Sequence, residues 1–160
     1  VKSVDGDAQG EPDSRPAAVI IALDGDDDGD SDGDGTCIAR ARHLMADFLG
    51  RARADHGMAV STRAVGLAQL VVSELVTNAH KYAPGPLRME LRIVDDAVEV
   101  TVRDGVRVLP VARPVEPGRV GQHGLEIVMA VVQAFQVRLE PAGKSVTARI
   151  ALTDGSVGPR

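Results

Sequence analysis

Glu74, Asn78 and Lys81 fall within an arc of about 60° if the segment holding them is helical, because each residue of an α-helix advances the chain by roughly 100°. A carboxylate and an amide oxygen one turn apart can hold a hard cation and orient its waters, and a lysine beside them adds positive charge for a phosphate. The adjoining stripe, Ala68, Val72, Leu75 and Ala79, is apolar, which puts the polar stripe at the margin of a core. Asparagine is a poor residue for a helix interior, since its amide competes for backbone hydrogen bonds, so Asn78 invites a reason for being there. The competing reading is an ordinary solvated face whose charges pair at helical spacing.

Other positions carry weaker signals. Asp104-Gly105 closes an alternating run, where it makes either a simple turn or a carboxylate placed to accept an exocyclic amine of adenine. Gly121-Gln122-His123-Gly124-Leu125 sets a glycine-bounded turn ahead of an apolar helical pattern, and free N–H groups at such a helix start attract anions. Gly143-Lys144-Ser145 imitates the tail of a phosphate-binding Walker A loop, but Arg138 stands where that loop needs its first glycine. Asp24-x-Asp26-x-Asp28-Gly29 imitates the first half of an EF-hand, and Ser31 and Gly35 break the second half. The sequence holds no HExxH, no GxSxG and no cysteine–histidine pair, and His43 and His56 are expected at the surface.

The elements that must position these residues follow from periodicity. Residues 18–23 read as a short strand, and residues 24–35, almost all Asp and Gly, as a flexible acidic loop. From Thr36, the expected N-cap, to Ala54, the residues Ile38, Ala41, Met45, Phe48 and Leu49 recur at helical spacing. A second helix runs from Ser61 or Thr62 to Tyr82, stopped by Pro84-Gly85-Pro86. Met89, Leu91 and Ile93, then Val98, Val100 and Val102, alternate with polar residues about a turn at Asp95-Asp96. Residues 105–120, with three prolines, are long for a connection and suggest a lid. A third helix with Val128, Val131, Val132 and Phe135 inward precedes strands containing Val137 and Leu139, then Val146, Ala148, Ile150 and Leu152. The predicted fold is α+β: a two-layer α/β sandwich with helices on one face of a mixed, mostly antiparallel sheet. It comprises a disordered acidic tail at 1–17, one domain at 18–152 and frayed residues 153–160.

With 160 residues, 44% of them apolar, there is room for one domain with a real core. Residues 1–35 hold eleven acidic side chains against Lys2 and Arg15, so the net charge of -5 arises there and the rest is mildly basic. That balance, with one tyrosine, two phenylalanines and no tryptophan, speaks against nucleic-acid binding. The single cysteine, Cys37, excludes an internal disulfide and a multi-thiolate zinc site. No run approaches the roughly 18 apolar residues of a membrane span and no signal peptide opens the chain, so a cytoplasmic protein with no membrane partner is expected. High Ala, Val, Arg and Gly usage, with Val at position 1, points to a GC-rich bacterial source and an alternative start codon.

Taken in order, the motifs resemble the GHKL or Bergerat ATPase family over residues 36–152, and within it the anti-sigma-factor serine/threonine kinases. Glu74-Leu75-Val76-Thr77-Asn78-Ala79-His80-Lys81-Tyr82 resembles the family's N box, Asp104-Gly105 its first glycine box, Gly121 to Leu125 the second, and Gly143-Lys144-Ser145-Val146 the closing Gly-x-Thr-Val strand. The resemblance implies ATP and Mg2+ as cofactors, Glu74 as general base and Asn78 as magnesium ligand. It further implies ATP contacts from Asn78, Lys81, Asp104, Gly105, Gly121, His123, Gly124, Leu125 and Ser145, with Asp104 on adenine and residues 105–120 as the ATP lid. Gln122, where these kinases commonly carry glycine, and the acidic insert at 24–35 depart from the pattern.

The implied activity is phosphorylation of an anti-anti-sigma (STAS-like) partner, with sequestration of a sigma factor and hence transcription regulation. The alternative is a noncatalytic, ATP-responsive regulatory module. Glu74 favours the first, because a mere binder has no need of a base. A histidine-kinase catalytic domain is disfavoured, since no phosphoacceptor helix pair precedes residue 36. The resemblance also implies a homodimer, with the Val19–Leu23 strand as its expected contact.

Overall fold

The computed structural model describes residues 15–23, 33–82, 85–106 and 124–154. The acidic tail before residue 15, most of the Asp/Gly loop, most of the lid with Gly121 and His123, and the chain after residue 154 lie outside the described residues. The elements are β1 (Val19–Leu23), α1 (Gly33–His56), α2 (Thr62–Tyr82), β2 (Leu87–Val94), β3 (Ala97–Asp104), α3 (Gly124–Val131), β4 (Ala134–Glu140) and β5 (Gly143–Ala151). The strands form one sheet in the order β1-β2-β3-β5-β4, and every pairing in it is antiparallel.

Period-two alternation decides which face of the sheet is covered. Leu87, Met89, Leu91 and Ile93 of β2, Val98, Val100 and Val102 of β3, and Val146, Ala148 and Ile150 of β5 are buried, and paired residues share a face. Against them lie Ala41, Met45, Phe48 and Leu49 of α1 and Ala64, Ala68, Val71, Val72, Leu75, Val76 and Ala79 of α2. Each buried Val or Leu contributes roughly 1.5–3 kcal/mol, so this single two-layer core dominates stability.

The opposite face of the sheet carries ion pairs: Arg92 with Glu99 at 2.7 Å, Arg103 with Glu90 at 2.9 Å, and Arg149 with Asp95 at 3.4 Å. The hydrogen bond to Glu90 is the main cause raising the Arg103 pKa. Ile20, on the edge strand β1, is 64% exposed.

Local chemistry sets the element ends. Ser61 Oγ accepts the Ala64 N–H at 3.0 Å and donates to Asp154 at 2.9 Å, capping α2 and tying it to the segment after β5. Gly57, at φ 63°, closes α1 in the left-handed conformation that glycine adopts freely, and the Met58 N–H returns to the Ala52 carbonyl at 3.0 Å. Asp95, at φ 53°, turns β2 into β3, a conformation aspartate tolerates.

The boundaries furthest from expectation are the start of α1 and the end of α3. Helix α1 begins at Gly33, so Thr36 sits in its first turn instead of capping it, and residues 33–35 are helical instead of loop. The Asp and Gly residues ahead of Thr36 do not stop a helix whose downstream face is held by the core. Helix α3 ends at Val131, and Phe135 belongs to β4 instead of the helix. The Gln133 N–H bonds the Arg149 carbonyl at 2.8 Å, so the open edge of β5 captures the backbone there.

Candidate functional site

The apolar stripe of α2 is buried as expected, which leaves Glu74 and Asn78 half-buried on the neighbouring stripe and Lys81 exposed near the helix end. Gly124, the first residue of α3, stands directly against Glu74, and a Cβ at that position would overlap the Glu74 carboxylate. A side chain at residue 124 would therefore displace the Glu74 carboxylate from this position. Val128 is fully buried and anchors α3, while Leu125 is half-buried beside the contact. The Glu74 carboxylate thus lies at the helix end whose free N–H groups attract anions. Glu126, in the first turn of α3, has its Oε2 buried without a hydrogen-bond partner.

The second part of the site is the end of β3 and the start of β5, strands on which α2 packs. Asp104 continues the inward phase of Val98, Val100 and Val102, so its carboxylate falls on the helix-covered face just past the apolar core. Its cross-strand partner is Lys144, in phase with Val146, Ala148 and Ile150. The two side chains, 2% and 4% exposed, form an ion pair of 2.9 Å. Asp104 Oδ1 also accepts the Val106 N–H at 2.8 Å, and Lys144 Nζ donates to the Val106 carbonyl at 3.4 Å. A Cβ at Gly143 would overlap the Asp104 carbonyl, so this strand start must be glycine, whereas Gly105 has room for a side chain.

The register separates Ser145 from this group. Ser145 lies opposite Arg103 and Arg138, on the other face of the sheet from Asp104. Lys144, which the sequence reading did not count among the ATP contacts, holds the position beside Asp104. A lysine in phase with three inward apolar residues was the signal available for it.

The arrangement suits a polyphosphate ligand. One carboxylate and one amide sit a turn apart on α2, the carboxylate against a helix start, with a hydrogen-bonding acidic group at the end of the sheet. Among the described residues no cluster of three or more His, Cys, Asp or Glu could hold a metal ion by itself. Among the same residues no helix is long and apolar enough to cross a membrane.

Residues 35–150 match the family described as histidine kinase-like ATPase domain. The chain belongs to that family. Membership makes it an ATP-binding domain, and its α+β fold of three helices on an antiparallel sheet is the family's. This histidine kinase-like ATPase domain is similar to the structure of the RsbU and RsbW domains of Rv1364c from Mycobacterium tuberculosis, with a TM-score of 0.53 and 19% identity, over 86% of this chain and 33% of that one. It is also similar to the histidine kinase domain of the blue-light activated histidine kinase EL346 from Erythrobacter litoralis, with a TM-score of 0.42 and 22% identity, over 74% of this chain and 61% of that one. The chain thus spans less than two thirds of either. No curated protein matches it.

Proposed function

We propose that this ATPase domain is a serine/threonine protein kinase of the anti-sigma-factor type, which phosphorylates a STAS-like anti-anti-sigma protein and sequesters a sigma factor. The observation that carries the proposal is the Glu74 carboxylate at the core's margin, facing the start of α3 one turn from Asn78. An acceptor hydroxyl meeting Glu74 gives up its proton there, its oxygen bonds to the γ-phosphorus of ATP, and the bond to the β–γ bridging oxygen breaks to release ADP. Positioning and charge neutralisation are most of what such a transfer needs.

The same contact supports magnesium as the cofactor. A triphosphate drawn to the α3 start and the carboxylate already against it repel each other unless a cation lies between them, and the Asn78 amide oxygen is one turn away. Bound there, Mg2+ supplies neutralisation of the phosphate charge. Lys81, Asp104, Gly105, Gly121, His123, Gly124 and Leu125 are the proposed nucleotide contacts. The protein acts in the bacterial cytoplasm, in transcription regulation, as a homodimer joined along β1; a monomer at micromolar concentration in light scattering overturns the dimer.

Calorimetry of ATP binding with and without Mg2+, on the wild type and on Asn78→Ala, tests the site. Phosphorylation of a STAS-domain protein by the wild type and Glu74→Ala tests the chemistry. Magnesium-dependent binding lost with Asn78, and transfer lost with Glu74, are expected. Binding without transfer in the wild type leaves a noncatalytic ATP-responsive module.

A further inference from the structure

The buried pair of Asp104 and Lys144 sets an acceptor beside a donor. The carboxylate accepts and the ammonium donates, side by side across neighbouring strands, 2.9 Å apart. One chemical group already fits that pair. The Val106 peptide offers its N–H to Asp104 Oδ1 at 2.8 Å and its carbonyl to Lys144 Nζ at 3.4 Å. A donor next to an acceptor is also what adenine presents, with the N6 amine beside ring N1.

We propose that Lys144 is a base-reading residue, donating from Nζ to adenine N1 while Asp104 accepts from the N6 amine, and that the Val106 peptide holds the same pair when no base is bound. The inference rests on the ATP site proposed above and adds to it a specificity determinant from β5. Three observations converge on Lys144. Its register with Asp104 places both side chains on the helix-covered face. Its burial, at 4% exposure, keeps the ammonium from serving as a general surface charge for phosphate. Gly143 lets β5 approach the Asp104 backbone so closely that no side chain fits between them, which fixes the strand start next to the carboxylate. Ser145, one residue on, lies on the wrong face for this role.

The proposal separates two edges of the purine. Replacing N1 by a carbon removes the acceptor Lys144 needs and leaves the N6 amine for Asp104, whereas replacing N7 alters an atom away from that edge. Calorimetry of the full chain with ATP, 1-deaza-ATP and 7-deaza-ATP in Mg2+ reads the difference. The wild type is expected to bind 1-deaza-ATP about tenfold or more weakly than ATP, the range for a hydrogen bond to a charged donor, and to bind 7-deaza-ATP as it binds ATP. Lys144→Met is expected to bind ATP and 1-deaza-ATP equally. If that variant does not fold, Asp104→Asn/Lys144→Met, which leaves no unpaired buried charge, takes its place with the same expectation.

Equal binding of ATP and 1-deaza-ATP by the wild type overturns the role of Lys144 while leaving ATP binding intact. Persistence of the 1-deaza penalty in the variant does the same, since the donor is then elsewhere. Failure of the wild type to bind any of the three nucleotides overturns this inference together with the ATP site.

Discussion

Gly124 and Gly143 each lie where a Cβ would collide, yet with different neighbours. At Gly124 the obstacle is the far end of the Glu74 side chain, which can swing away. Gly124→Ala is therefore expected to cost no more than about 1 kcal/mol of stability while displacing the proposed base, so that ATP turnover falls by about tenfold or more with the melting temperature nearly unchanged. At Gly143 the obstacle is the backbone carbonyl of Asp104, which cannot move without the strand. Gly143→Ala should cost about 1–3 kcal/mol, lowering the melting temperature by several degrees in calorimetry. The reverse pattern, a stable Gly143→Ala and an unfolded Gly124→Ala, would remove the reading of both contacts. The Glu74 and Asn78 stripe was legible because one helix and its period suffice to place it. The Asp104 and Lys144 pair was not: Asp104 was visible as a strand end, but its partner depends on the register of β3 with β5, which no local pattern states.

At the scale of elements, α2 bears the proposed base and cation ligand, so its start must be fixed. Ser61 does this twice over, through the Ala64 N–H and Asp154. Ser61→Ala should lower stability by about 1 kcal/mol in urea unfolding, with an unchanged slope because the exposed surface on unfolding is the same. An unchanged midpoint would mean that the cap contributes nothing. This helix start was readable from the serine and threonine ahead of an apolar period. The end of α3 was not readable in that way. Val128, Val131, Val132 and Phe135 keep helical spacing, but Phe135, Val137 and Leu139 keep strand spacing, so residue 135 satisfies both. What decides between them is the hydrogen bond from Gln133 to Arg149, offered by a strand more than ten residues downstream. Tertiary pairing overrides periodicity where a short segment can serve two periods.

At the scale of the whole molecule, the sheet and its covering helices form one core, and the proposed site draws on α2, α3, β3 and β5 at once. A ligand that engages all four elements binds only the assembled fold, so it must stabilise the whole chain by mass action. At a concentration a hundredfold above its dissociation constant, ATP with Mg2+ should add about 2.7 kcal/mol and raise the melting temperature by roughly 5–10 °C. Asn78→Ala removes one proposed cation ligand from α2 without touching the apolar stripe, since Asn78 is only half-buried. Its own melting temperature should stay close to that of the wild type, while its shift with ATP and Mg2+ should fall to the value ATP gives the wild type in a chelator. A shift in Asn78→Ala as large as in the wild type would place the cation away from α2, and the proposed assignment of Glu74 as the neighbouring base would lose its geometric support with it.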